Sequence, residues 1–172
     1  MSVVFPDGWV IEPLEKAHDR AGFDCGSAPV NDWLRKHARQ AQQKHISSTR
    51  VLLDDGRKIA GYYTLAHAHV RMNQLPAEVA RKLPDSLIPV AVLAWLGVDL
   101  RFRGMGLGDR LLAHALVRAH EAAAIIPFVG VVIDCLDDVA KAFYRRFDFA
   151  EFPGHPMKLL VSRNQLDALA GG

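Results

Sequence analysis

The chain has 172 residues, of which 50% are hydrophobic and 23% are charged, so it has enough apolar residues to form a packed core. No apolar run reaches the roughly 18 residues of a membrane-spanning helix, and the first residues lack the basic and apolar regions of a signal peptide. Two cysteines are too few for a disulfide framework, and the net charge of +2 is too small to indicate a partner. We therefore expect one cytoplasmic domain over residues 1–172, with no membrane partner.

Turn residues and hydrophobic periodicity predict the elements of the first half of the chain. Ser27 as N-cap and Pro29 in the first turn indicate the start of a helix, and Asp54-Asp55-Gly56 indicates a hairpin turn. The predicted elements are a strand broken by Pro6-Asp7-Gly8 at 3–10, a helix at 28–44, hairpin strands at 48–54 and 58–71, and a short helix at 75–83.

The second half begins with a nearly continuous apolar run, which is typical of a central strand covered on both faces. A glycine-rich loop follows this run directly. The predicted elements are that strand at 87–100, a helix at about 107–123, a buried strand at 128–135, a helix at 139–147 and terminal strands at 149–152 and 157–162. The order predicts a mixed α/β fold with a strand–loop–helix–strand unit at its centre.

Positive charge is concentrated in one segment. From Trp33 to Leu53 there is no acidic residue, and the predicted helix carries cations that include Arg35, Lys36, Arg39 and Lys44. The charges are either an ordinary solvated helix surface or a binding surface for a phosphate backbone, because clustered cations attract polyanions.

The glycine loop Arg103-Gly104-Met105-Gly106-Leu107-Gly108 lies between the buried strand and an amphipathic helix. Its backbone N–H groups, the helix N-terminus and Arg103 suit a phosphate or pyrophosphate. A P-loop is excluded because Asp109-Arg110 follows the last glycine, and Asp134 is a poor match to the acidic residue of a dinucleotide fold. A turn without a ligand remains the alternative.

Two motifs in this chain resemble the GNAT superfamily of acyl-CoA N-acyltransferases. The pattern Arg-x-x-Gly-x-Gly at Arg103, Gly106 and Gly108 resembles its coenzyme A-binding motif, and residues 140–149 resemble its helix-to-strand signature. The resemblance implies a central, twisted, mixed but mostly antiparallel sheet flanked by helices, with a splayed acetyl-CoA cleft.

Further segments, at 23–26, 31–34 and 59–65, resemble the acetyltransferase toxins of type II toxin–antitoxin pairs. This resemblance implies acetylation of the α-amino group of aminoacyl-tRNA, which blocks translation, with acetyl-CoA as donor. It also implies a ribbon-helix-helix antitoxin and a homodimer. The alternatives are a GNAT enzyme that acts on a small amine or a protein amine, and a catalytically silent binding module.

The resemblance also implies roles for individual residues. Tyr144 matches the general acid at the coenzyme sulfur, and Arg35, Lys36, Arg39 and Lys44 are the expected RNA contacts. The expected acetyl-CoA contacts are Leu96, Gly97, Val98, Arg103, Gly104, Met105, Gly106, Leu107, Gly108 and Phe143. The sequence does not identify a general base, so Glu12, Asp99, His67 and solvent remain candidates.

Other residues are weighed against these roles. Gly97 is a candidate β-bulge that would open the strand. His67 and His69 share a strand face but lack a third ligand, so no metal site is predicted. Trp95 and Asp148 depart from the family pattern, which has arginine and glycine there, and Asp148 tolerates the positive φ of that turn. Cys25 and Cys135 are interpreted as buried apolar residues.

Overall fold

The structure is a computed structural model that describes residues 2–171. It divides into two compact units. The N-terminal unit comprises residues 2–66 and 94–115, and the C-terminal unit comprises residues 67–93 and 116–171. Two strands and one helix continue from one unit into the other, and each unit is described by itself.

The strands are hydrogen-bonded in the order β1-β2-β3-β4-β5-β7-β6. They are β1 (Val10–Pro13), β2 (Ser47–Leu53), β3 (Ile59–Arg71), β4 (Leu87–Val98), β5 (Gly130–Asp134), β6 (Ala150–Phe152) and β7 (His155–Ser162). The helices are α1 (Ala28–Asp32), α2 (Ala38–Gln43), α3 (Ala77–Ala80), α4 (Leu107–Ala123), α5 (Asp138–Arg145) and α6 (Arg163–Ala170). The β4–β5 pair is parallel and the β1–β2, β2–β3, β5–β7 and β6–β7 pairs are antiparallel, which confirms the predicted mixed, mostly antiparallel sheet with helices.

The N-terminal unit is organised around the β2–β3 hairpin. The strands pair from Ser47 opposite Ala66 onward, and the predicted turn is closed by the Asp54 N–H, which donates to the Lys58 carbonyl at 2.9 Å. Helical residues 28–43 cover this sheet with one apolar face. Its core is formed mainly by Leu14, Phe23, Val30, Leu34, Ala38, Val51, Leu53, Ile59 and Tyr62.

The predicted basic helix is confirmed in position, but it is interrupted by a π-helical turn at Trp33–His37, where the Ala38 N–H donates to the Trp33 carbonyl. Ser27 occupies the N-cap position without a side-chain capping hydrogen bond; its carbonyl instead accepts from the Asn31 N–H at 2.9 Å. Pro29 lies in the first turn, as predicted.

The C-terminal unit holds the parallel pair, in which Ala91 lies opposite Val131. Strand β7 pairs with β5 and β6, and α3 lies against the start of β4. The core is formed by Leu75, Ile88, Val90, Val132, Phe152 and Leu160. The bounds of strands β5, β6 and β7 and of helix α5 lie within two residues of the predicted ones.

Two predictions of secondary structure need correction, and one helix was missed. The turn predicted at Pro6-Asp7-Gly8 is present, because Gly8 has a φ of +80° and the Trp9 N–H donates to the Pro6 carbonyl. The strand predicted around it at 3–10 is wrong, since pairing begins only at Val10. The helix predicted at 75–83 is reduced to α3, preceded by a 3₁₀ turn at Met72–Gln74. Helix α6 was not predicted, although Ser162 and Gln165 form a capping box at its start.

Within residues 2–171, no helix is both long and apolar enough to cross a membrane.

Candidate functional site

The glycine loop lies where the sequence predicted it, between β4 and α4, in the N-terminal unit. Gly104 and Gly106 have φ values of +81° and +70°, and a Cβ at either position would have no heavy atom within 4 Å. Glycine is therefore needed there for its backbone conformation rather than for space. Residues 103–106 are exposed, and α4 begins directly after them at Leu107. The positive end of the helix dipole at this N-terminus favours an anion beside the loop.

Asp99 anchors this loop to the end of β4. Its carboxylate is buried and accepts from the Arg101 N–H, Nε and Nη2 at 2.9, 2.8 and 3.1 Å, and from the Asp24 N–H at 3.1 Å. Burial raises the pKa of Asp99, but the hydrogen bonds from Arg101 and Asp24 outweigh burial and hold this pKa below its ordinary value. A carboxylate with four donors has little capacity as a general base.

The segment before α1 belongs to the same network. The Asp24 carbonyl accepts from the Leu100 N–H at 2.9 Å, and Asp24 Oδ1 accepts from Gly26 N–H and Asn31 Nδ2, both at 2.8 Å. Asn31 Oδ1 accepts from the Cys25 N–H at 2.9 Å. Asp24 and Asn31 are thus structural residues that the sequence reasoning did not identify; both lie in the segments that carry the family resemblance.

Gly97 on β4 packs directly beneath α1. A Cβ at Gly97 would lie 2.8 Å from Val30 Cγ1, 3.4 Å from Phe23 Cζ and 3.5 Å from Cys25 Sγ. Close packing therefore explains this glycine, and the bulge at Gly97 stays a prediction. Leu96 and Val98, the neighbouring positions expected to contact acetyl-CoA, are partly exposed.

Tyr144 lies in the last turn of α5, in the C-terminal unit. The Asp137 side chain caps this helix by accepting from the Ala140 N–H at 2.8 Å. Tyr144 is buried, and burial raises the pKa of its hydroxyl well above the ordinary value, so the phenol stays protonated at neutral pH. Among residues 2–171 its hydroxyl has no hydrogen-bond partner, which leaves this proton available to a bound molecule.

Phe143, the other α5 residue with an expected role, belongs to an aromatic cluster. It makes edge contacts with Tyr144 and Phe147, with ring centroids 4.9 and 5.7 Å apart, and the Arg146 guanidinium lies over it at 5.0 Å. Phe143 is half-buried, so part of its ring remains accessible. Asp148, which follows this cluster, has a φ of +54°, which confirms the expected positive φ of the turn.

Of the remaining candidates for the general base, Glu12 is already hydrogen-bonded, and no contact supports such a role for His67. Glu12 Oε1 accepts from His18 Nε2 and from Arg57 Nη2, each at 2.8 Å, and these bonds lower the pKa of Glu12. His67 is exposed and has an edge contact with Phe128. Among the described residues, no group of three His, Cys, Asp or Glu side chains could hold a metal ion.

Both cysteines have thiols of raised pKa, because burial disfavours their charged form. Cys135 is buried, as expected, whereas Cys25 is only half-buried and lies beside the Gly97 position.

The four expected RNA contacts differ in their surroundings. Lys36 and Lys44 are exposed and Arg39 is half-buried. Lys36 forms an exposed ion pair with Asp32 at 3.0 Å, which contributes little stability. Arg35 is instead directed into the protein: its Nη2 donates to the Phe23 carbonyl, and its Nε is buried without a partner among residues 2–171. Arg35 therefore holds the segment before α1, a role that sequence reasoning missed.

A sequence profile described as "Acetyltransferase (GNAT) domain" matches residues 47–151. The chain is 35% identical over 158 residues to the tRNA-acetylating toxin of Mycobacterium tuberculosis, and the match covers 92% of this chain and 94% of that protein.

Solved structures of similar fold and more than 25% identity include two complexes with ligands. AtaT complexed with acetyl-methionyl-tRNAfMet has a TM-score of 0.85 and 26% identity, covering 94% of this chain and 98% of that one. AtaTR bound with AcCoA has a TM-score of 0.83 and 27% identity, covering 95% and 98%.

Proposed function

The chain belongs to the GNAT acetyltransferase family, and on that premise we propose that it transfers acetyl from acetyl-CoA to the α-amino group of aminoacyl-tRNA. The observation that carries this proposal is the similarity to a tRNA-acetylating toxin over nearly the full length of both chains. The chain would then act as a translation-blocking toxin, and both units would serve one acetyltransferase domain over residues 1–172.

The glycine loop fits the pyrophosphate of the acetyl donor. The backbone of residues 103–108, exposed from Arg103 to Gly106, and the N-terminus of the 17-residue helix α4 would form an anion site. Leu96, Gly97, Val98 and Phe143 would contact the rest of the molecule. When bound, acetyl-CoA supplies an activated thioester, and backbone N–H groups of β4 beside Leu96 would polarise its carbonyl.

Tyr144 would supply the proton that the leaving sulfur requires. Because burial raises the pKa of its hydroxyl, the phenol keeps its proton over the whole physiological range. The acceptor amine needs less help, since an α-amino group has a pKa near 8 and is partly neutral at cytosolic pH. Solvent can therefore remove the amine proton, in agreement with the lack of a free carboxylate at Glu12 and Asp99.

The RNA would be held by Lys36, Arg39 and Lys44, which point away from the core contacts of their helical segment. Arg35 contributes indirectly by fixing the segment before α1. As partners we propose a ribbon-helix-helix antitoxin and a second copy of the chain, and as location the cytoplasm, where charged tRNA is found.

The test incubates purified protein with radiolabelled acetyl-CoA and a charged total tRNA pool. We expect label on aminoacyl-tRNA from the wild type and its loss in Tyr144→Phe. Tyr62→Phe is the matched control, because the Tyr62 hydroxyl donates to the Val30 carbonyl inside the core and has no part in the reaction. Label on small amines but not on tRNA would instead establish a small-substrate enzyme. Absence of any acetyl transfer would indicate a silent binding module.

A further inference from the structure

Trp95, Trp33 and His37 form a row of three rings in the N-terminal unit, here called the aromatic row. Trp33 and Trp95 are stacked, with ring centroids 5.3 Å apart and planes inclined by 12°. His37 lies 6.0 Å from Trp33 with its ring tilted by 34°. Trp33 Nε1 donates to Thr64 Oγ1 at 3.0 Å, and Thr64 is fully buried, so the middle ring is fixed in place.

The outer rings of the aromatic row have unused polar groups. His37 is exposed and Trp95 is half-buried. Within residues 2–171 neither the Trp95 indole nitrogen nor the His37 imidazole has a hydrogen-bond or ion-pair partner. The two ends of the row are therefore available to a ligand that offers both a flat ring and polar edges.

Positively charged residues lie close to His37 of the aromatic row in the sequence. Lys36 lies within the same π-helical turn, and Arg39 follows His37 by two residues. The only acidic side chain of the helical segment 28–43 is Asp32, which is paired with Lys36. Rings interleaved with cations are the chemistry of single-stranded nucleic-acid binding, in which bases stack on aromatic side chains and cations contact phosphates.

We propose that the aromatic row stacks an unpaired nucleobase at the single-stranded 3′ end of the RNA substrate. This inference rests on the proposed function, because the amino acid at that 3′ end must reach a thioester held beside Leu96. Trp95 immediately precedes Leu96 on β4, so a base on Trp95 lies within a few residues' length of the reacting amine. The row thereby positions the end of the RNA for transfer.

The test compares KM and kcat for charged tRNA in the wild type, His37→Ala and Trp95→Leu. We expect KM to rise about tenfold in each variant, the size of effect that loss of one stacked base produces. His37→Tyr and Trp95→Phe keep a ring and should restore most of the affinity, which separates stacking from a folding defect. His69→Ala, an exposed histidine on β3, is the matched control and should leave KM for tRNA as in the wild type.

A second substrate separates the nucleobase from the amino acid. The methyl ester of the amino acid that the wild type acetylates on tRNA lacks any base, so the ratio of kcat/KM for tRNA to that for the ester should fall about tenfold in both variants. If kcat/KM fell equally for tRNA and for the ester in these variants, the inference would be overturned. A KM for tRNA in the variants within about twofold of the wild-type value would also overturn it. A wild type that acetylates amino acid methyl esters but none of the charged tRNAs would overturn the proposed function itself.

Discussion

Arg101 folds back onto Asp99, two residues earlier, and donates three hydrogen bonds to its carboxylate. Its backbone N–H and Nε share Oδ1, and its Nη2 contacts Oδ2. The Asp99 side chain is 3% exposed and that of Arg101 is 49% exposed, so the pair lies at the boundary between core and solvent. It holds the chain at the end of β4, immediately before the glycine loop.

Replacement of this carboxylate should change how stability depends on pH. The folded-state pKa of Asp99 is lowered, so the carboxylate stabilises the fold above its unfolded pKa near 3.9, and this stabilisation is lost as the pH falls through the folded value. We expect Asp99→Asn to lose about 2 kcal/mol of unfolding free energy near neutral pH. The difference from the wild type should shrink below about pH 4.

Urea denaturation at a series of pH values measures this effect. Asp85→Asn, which changes an exposed aspartate, is the control and should follow the wild type. If Asp99→Asn and the wild type were separated by the same free energy at every pH, the role of Asp99 as a stabilising anion would be wrong.

Gly97→Ala should destabilise the N-terminal unit by overpacking. The new Cβ would lie 2.8 Å from Val30 Cγ1, and we expect a cost of about 1–3 kcal/mol. Val30→Ala removes the opposing methyl group, so the double variant should be less destabilised than the sum of the two single variants by about 1 kcal/mol. A double-mutant cycle in urea checks this coupling, and strict additivity would show that another contact limits the site.

Gly104→Ala and Gly106→Ala should weaken binding of the acetyl donor. Both positions require positive φ in an exposed loop, and a Cβ there costs about 1–2 kcal/mol of backbone strain unless the loop changes shape. A changed loop no longer aims its N–H groups at a pyrophosphate, so we expect KM for acetyl-CoA to rise about tenfold.

Gly154→Ala provides the comparison for this loop. Gly154 also has positive φ, +74°, and open space around its Cβ position, but it lies in the turn between β6 and β7. It should lose comparable stability and keep the wild-type KM for acetyl-CoA. A similar rise of KM in all three variants would mean that general strain, and not the loop, controls binding.

The pH–rate profile should reveal the protonation state of Tyr144. Because burial raises the pKa of this hydroxyl, the rate should rise as the α-amino group loses its proton near pH 8 and then stay level to about pH 10. Single-turnover acetylation of aminoacyl-tRNA at each pH, with correction for ester hydrolysis, measures this. A descending limb near pH 9 in the wild type would contradict a phenol that keeps its proton.

Local sequence signals were sufficient to predict the secondary structure around the glycine loop. The apolar run of β4, the three glycines and the spacing of leucines in α4 each indicate the same strand–loop–helix order, and the structure has it. The failure at 3–10 shows the limit of such signals. Apolar residues precede Pro6 there, but a tight turn and a missing N–H leave them outside the sheet.

Side-chain direction was less accessible to sequence reasoning. Helical spacing placed Arg35 on the solvated face, yet its guanidinium reaches the Phe23 carbonyl because the preceding loop folds over the helix. The stack of Trp33 on Trp95 joins residues 62 positions apart, and no local pattern predicts such a contact. For Tyr144 the motif predicts the role, and the structure adds that its hydroxyl is buried and protonated.

The π-helical turn at Trp33–His37 also sets the rotational phase of the helical segment. In a regular α-helix, residues four apart advance by about 400°, so a stripe built on that spacing drifts by about 40° at each step. A π turn contains more residues, which reverses the drift. Leu34 and Ala38 therefore both remain in the core, because the backbone is locally underwound by the wider hydrogen-bonded ring of the π turn.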